Sequence, residues 1–74
     1  MYKYNPNDFP NDIAENMRTV YKLYEKNKKE PKYVELSTAI DNLYYDLKDL
    51  RTFKLKPADE IVAMQNYFRR FLYD

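Results

Sequence analysis

The chain contains no cysteine, histidine, glycine or tryptophan. Without cysteine there is no disulfide framework and no thiolate metal site. Without histidine the commonest general base and metal ligand is missing, and the only serine, Ser37, lies mid-pattern with nothing to activate it. Phosphate-cradling loops and two-residue hairpin turns both lean on glycine, so neither a nucleotide loop nor a hairpin-rich β design is expected. Asp46 and Asp49 stand three apart, but among lysines such carboxylates are more simply solvated ion-pair partners. No catalytic, cofactor-binding or metal-binding residue is assigned, and an enzyme is not expected.

Two further absences narrow the class. No apolar run approaches the length of a membrane span, and the N-terminal MYKYNPNDFP lacks the apolar core of a signal peptide, so a cytoplasmic, non-spanning protein is expected. Charge of one sign is missing too: 13 basic residues against 12 acidic leave +1, whereas a dedicated nucleic-acid binder normally carries a cationic excess.

What the chain does contain is helical periodicity. Within Tyr33 to Arg51 the apolar residues Leu36, Ile40, Leu43, Leu47 and Leu50 are spaced four, three, four and three apart. Such residues stack on one face of a backbone that turns every 3.6 residues. The alternation also suits helices packed side by side at a shallow angle. A second stripe, Ile13, Met17, Val20 and Tyr24, has Tyr21 and Leu23 on its flanks. A third comprises Ile61, Met64, Phe68, Phe71 and Leu72. Asp12 with Glu15 resembles a capping box, Pro31 suits the opening turn of the second helix, and Pro57 or Ala58 opens the third.

The expectation is one all-α domain, 1–74, with an arm over 1–11 and helices over about 12–27, 32–51 and 58–73. The short connections make it an antiparallel up-down-up bundle. Pro6 and Pro10 keep Asn5 and Phe9 from helical angles, while Tyr2, Tyr4 and Phe9 can fold back onto the helices. In the second link, Phe53 and Leu55 are expected to plug the open end of the bundle.

Nine tyrosines are the compositional signature. Most are expected to border the core, because the ring is apolar and its tip polar. On a helical wheel Tyr33 and Tyr44 fall on a shoulder of the seam, and Tyr45 falls opposite it, making Tyr45 the first candidate for partner contact. Lys26 near the end of the first helix, Lys28 and Lys29 in the charged link after it, and Arg69 and Arg70 in the last turns of the third are gathered at one pole by an up-down-up topology. That pole suits an anionic membrane surface or an acidic partner, although basic residues at helix C-termini also answer the helix dipole.

The run from Met17 to Phe68 resembles the enterocin A-type immunity proteins, which protect bacteria from pediocin-like bacteriocins. The likeness lies in VYKLYEKN, a charged link with EPKY, the seamed LSTAIDNLYYDL, KLKP and IVAMQNYF. Its particular carriers are Pro31-Lys32-Tyr33, Leu36, Ile40, Leu43, Leu47, Tyr44 and Tyr67. The resemblance implies a cytoplasmic, non-catalytic helical bundle that recognises the mannose-permease receptor once a bacteriocin has engaged it. It also implies that the third helix and its end, around Tyr67, Arg69, Arg70 and Tyr73, form the recognition side. Members of that family generally carry a fourth helix. With three, part of the seam is expected to be exposed and to favour a homodimer.

The alternative reading is a small adaptor or inhibitor, phage- or plasmid-borne, that occupies a protein partner through Tyr45, Tyr67 and Tyr73. The residues assigned to partner binding are thus Tyr45, Tyr67, Arg69, Arg70 and Tyr73.

Overall fold

The computed structural model describes residues 2–52 and 54–73. Its elements follow the three stripes: α1 spans Asn11–Lys29, α2 spans Tyr33–Thr52 and α3 spans Ala58–Arg69. The molecule measures 38 × 21 × 20 Å. The helices are antiparallel neighbours in sequence, and the aromatic ends of α1 and α3 meet, so the bundle runs up-down-up as expected.

The seam of α2 is the centre of the core. Leu36, Ile40, Leu43 and Leu47 are almost completely removed from solvent, with Leu50 close behind. α1 lays Ile13, Met17 and Val20 against it, and α3 adds Ile61, Met64 and Phe68. The expectation of a partly exposed seam is therefore corrected. Two helices and an arm suffice to cover it, which removes the reason for a covering homodimer. Within α1 the inward aromatic is Tyr21, while Tyr24 is only half-buried; Ala14, outside the expected stripe, is buried as well. The ring at Tyr21 is held inward by the arm, a partner that helix periodicity cannot anticipate.

The helix ends show where local signals act. α1 opens at Asn11 behind Pro10, whose carbonyl accepts the Ala14 N–H at 2.8 Å. No side chain caps this end. Asp12 thus lies inside the first turn, where its charge suits the positive end of the helix dipole. The expected capping box does not form, because Pro10 starts the helix too early for Asp12 to stand at its boundary. α1 runs on past Asn27 to Lys29, since lysine is a good helix former. It stops because Pro31 drives Glu30 to an extended φ of −131° and ψ of 96°. α3 ends at Arg69 rather than running to 73, and the tighter 3-10 turn Arg70–Leu72 follows it.

The exit from α2 exposes the cost of a glycine-free chain. Leu55 N–H bonds the Leu50 carbonyl at 2.9 Å and Lys54 N–H bonds that of Arg51 at 3.1 Å. This is the paired closure that normally places glycine in the left-handed region. Here Lys54 occupies it, at φ 57°. The reversal turns Leu55 outward, 61% exposed, so it rims the bundle instead of plugging it. Phe53, the other expected plug, lies outside the described residues.

The arm is ordered and docked. Asn5 Oδ1 accepts the Asn7 N–H at 3.0 Å and starts a 3-10 turn over Pro6–Asp8. Asn5 and Phe9, each preceding a proline, are both extended, as their positions require. Tyr2, Tyr4 and Phe9 all pack on the core. Tyr2 stacks on Tyr21 with centroids 4.0 Å apart, and Tyr4 meets Tyr67 edge-on at 5.1 Å. The Tyr21 hydroxyl donates to the Tyr4 carbonyl at 2.9 Å. Burial pushes the Tyr21 phenol well above its ordinary range. Tyr2 shifts the same way through desolvation, and its hydroxyl donates to the Glu25 carboxylate.

Candidate interaction surface

The tyrosines divide into two sets. Tyr2, Tyr4, Tyr21, Tyr24 and Tyr67 join Phe68 and Phe71 in a continuous aromatic cluster that fastens the arm across α1 and α3. Tyr33, Tyr45 and Tyr73 are exposed, and Tyr44 lies between these extremes.

Tyr67 belongs to the first set, which alters its expected part. Its ring lies among Tyr4, Phe68 and Phe71, and its hydroxyl accepts the Lys3 backbone N–H at 3.0 Å. Both ends of the side chain are engaged in holding the arm. Tyr67 had been assigned to partner contact, but the arm fills the space that a partner was expected to enter.

Arg69 and Tyr45 are brought together, although they stand 24 residues apart on separate helices. The Arg69 guanidinium carbon sits 5.0 Å from the centroid of Tyr44, within cation–π range. Tyr44 in turn meets Tyr45 edge-on, with centroids 5.8 Å apart and planes at 86°. The register is set one turn earlier, where buried Gln65 donates from Nε2 to the Tyr44 carbonyl at 3.1 Å. The result is a strip, Arg69–Tyr44–Tyr45, spanning α3 and α2, exposed at its two ends and half-buried at Tyr44. Tyr44 had been read as a seam shoulder and as one carrier of the resemblance, not as a contact residue. Its role as the bridge emerges from the packing of two helices and has no counterpart in local sequence.

Arg70 and Tyr73 continue from the end of α3, both exposed, with Tyr73 at 86%. Among the described residues neither Arg69 nor Arg70 has an ion-pair partner. The topology sets the C-terminal ends of α1 and α3 side by side, with Tyr24 and Phe71 stacked at 4.5 Å. Lys28 at that pole is engaged by Glu25 at 3.5 Å and by the face of Tyr24 at 4.8 Å. The bond from Tyr2 and the nearby lysines hold the Glu25 carboxyl below its usual range. The pole is therefore less cationic than a count of its lysines implies.

On the opposite side of the α1–α2 pair lies a groove of about 420 Å³, lined by Asn16, Thr19, Leu23, Val34, Glu35, Thr38, Ala39 and Asn42. Below it a smaller recess of about 230 Å³ is lined by Pro10, Asp12, Ile13, Asp46, Asp49, Leu50 and Leu55. Among the described residues no group of His, Cys, Asp or Glu side chains is arranged to hold a metal ion. None of the described helices is long and apolar enough to cross a membrane.

These features define a small three-helix, all-α domain with exposed tyrosines near Arg69 and Arg70. Compared with protein-family profiles, with characterised proteins and with solved structures, the chain matches none.

Proposed function

We propose that this chain is a non-catalytic recognition protein of the bacteriocin-immunity kind, acting in the cytoplasm on a bacteriocin-engaged mannose-permease receptor. The observation that carries this reading is the Arg69–Tyr44–Tyr45 strip, continued by Arg70 and Tyr73. Its Arg69, Arg70 and Tyr73 lie on the third helix and its end, the side that the resemblance implies for recognition, and Tyr44 and Tyr45 extend it onto α2. Arginine and tyrosine are also the side chains that dominate protein-binding hot spots, since they supply large contact area with polar ends. Such a surface needs no catalytic group.

The test is expression in a strain sensitive to pediocin-like peptides, paired with capture of tagged protein with and without peptide. Protection, with permease subunits recovered only when peptide is present, is the expected result. Protection should be lost in an Arg69→Ala, Tyr45→Ser double variant that keeps its helical circular dichroism. Absence of protection across a broad peptide panel would refute the reading.

A second reading, a small adaptor or inhibitor, is favoured by Tyr45 alone, which is 64% exposed and belongs to no core. It predicts capture of one defined soluble protein whether or not peptide is added. Because Tyr44 links Tyr45 to Arg69, both readings use one surface, and only peptide dependence separates them.

A further inference from the structure

We propose that the α1–α2 groove is a second interaction surface, on the face away from α3, and that it takes a basic amphipathic helix from a protein partner. The groove and the recess below it abut where Asn16 donates from Nδ2 to the Asp46 carboxylate, since Asn16 lines one and Asp46 the other. Together they follow α2 from Val34 to Leu50, about 24 Å at the rise of an α-helix. That length accommodates about four turns of a docked helix.

The upper part is built for apolar contact. Val34 is 81% exposed at its rim, with Leu23 and Ala39 beside it. Thr19 and Thr38 lie between them, and their hydroxyls already donate to the Glu15 and Val34 carbonyls at 3.0 and 2.9 Å. An apolar occupant can cover these hydroxyls without stranding a donor, so covering them carries little desolvation penalty. The small side chains at 38 and 39 also let a helix backbone approach closely.

The lower part supplies the charge preference. Asp12, Asp46 and Asp49 line it, and Glu35 stands at the upper end. Among the described residues no lysine or arginine lines either part. Exposed Leu55 forms the lower rim, so an apolar edge accompanies the carboxylates. The complementary ligand is a helix with small apolar residues along one face and Lys or Arg concentrated toward one end. An acidic or neutral helix would cover Asp12 and Asp49 with no counter-charge and leave Asp46 with only the Asn16 amide.

The probe is a synthetic 18-residue helical peptide with Ala and Leu on one face and four lysines in one half. Its twin carries glutamate in place of lysine. Binding is followed by fluorescence anisotropy, and ¹⁵N-labelled protein maps the site by chemical-shift change. The lysine peptide is expected to bind and to shift Thr19, Leu23, Val34 and Thr38, while the glutamate twin binds at least about tenfold more weakly. Val34→Asp with Thr38→Arg should weaken binding at least tenfold. Val62→Asp on α3, also at an exposed site, should leave it unchanged. Asp12→Asn with Asp49→Asn should weaken it about three- to tenfold and flatten its salt dependence. Circular dichroism checks that each variant folds.

Shifts confined to the Arg69–Tyr44–Tyr45 strip would overturn the assignment, as would equal binding of both peptides or no measurable binding at millimolar peptide. A concentration-dependent dimer of the protein alone, abolished by the Val34 and Thr38 changes, would overturn it in favour of a second copy. None of these outcomes depends on protection against bacteriocin.

Discussion

Replacing Tyr4 by alanine removes the ring that the arm lays against α3. The ring meets Tyr67 at 5.1 Å and lies 6.0 Å from Phe68. Truncating a fully buried large aromatic costs about 3–5 kcal/mol. Tyr4 is half-buried, so about half of that applies, and losing the edge-on pair with Tyr67 adds up to about 1 kcal/mol. The expected loss is about 2–3 kcal/mol, in a domain whose whole stability is on the order of 4–11 kcal/mol at this length. Urea unfolding followed by circular dichroism measures it, with the midpoint falling and the slope unchanged. Thermally the drop is about 4–8 °C for each kcal/mol in a chain this small. Tyr33→Ala, at an exposed position, serves as the control and should stay within about 0.5 kcal/mol of the parent. If Tyr4→Ala behaves like that control, the arm is not part of the folded unit, and the part assigned to Tyr67 falls with it.

Three further outcomes follow from named residues. Tyr2 and Tyr21 hold their protons more tightly when folded, so the stability they contribute is fully present below the ordinary tyrosine range of about 10 and declines as pH rises above it; urea midpoints between pH 8 and 11.5 should fall, and less steeply in Tyr21→Phe. Lys54→Gly relieves a left-handed residue and should raise stability by about 0.5–1 kcal/mol after glycine's extra unfolded-state entropy is allowed for, visible as a higher melting temperature. Leu43→Ala, at a position with no solvent exposure, should cost about 3–5 kcal/mol, enough to leave the chain partly unfolded at 37 °C by circular dichroism.

The helices were legible because each carries its own stripe, and amphipathic periodicity is a local property. All five seam residues of α2 are buried. The errors fall where a distant segment intervenes. Tyr24 and Tyr21 sit close on one wheel, and the docked Tyr2 decides between them. Leu55 looked like a plug until the left-handed Lys54 turned it outward. Of the residues assigned to partner binding, Tyr45, Arg69, Arg70 and Tyr73 are on the surface and Tyr67 is engaged by the arm.

The sequence by itself determined the three helices and their apolar faces. It also determined the proline-set break before α2 and the extended backbone at Asn5 and Phe9. All of these follow from turn geometry and steric limits within a few residues. Only the tertiary structure decided that the seam is closed without a second copy, that Tyr67 clamps the arm, and that Arg69 reaches Tyr45 through Tyr44. The last two rest on contacts between residues 64 and 25 positions apart in sequence. Their meeting depends on how long helices pack against one another, and no local pattern encodes that.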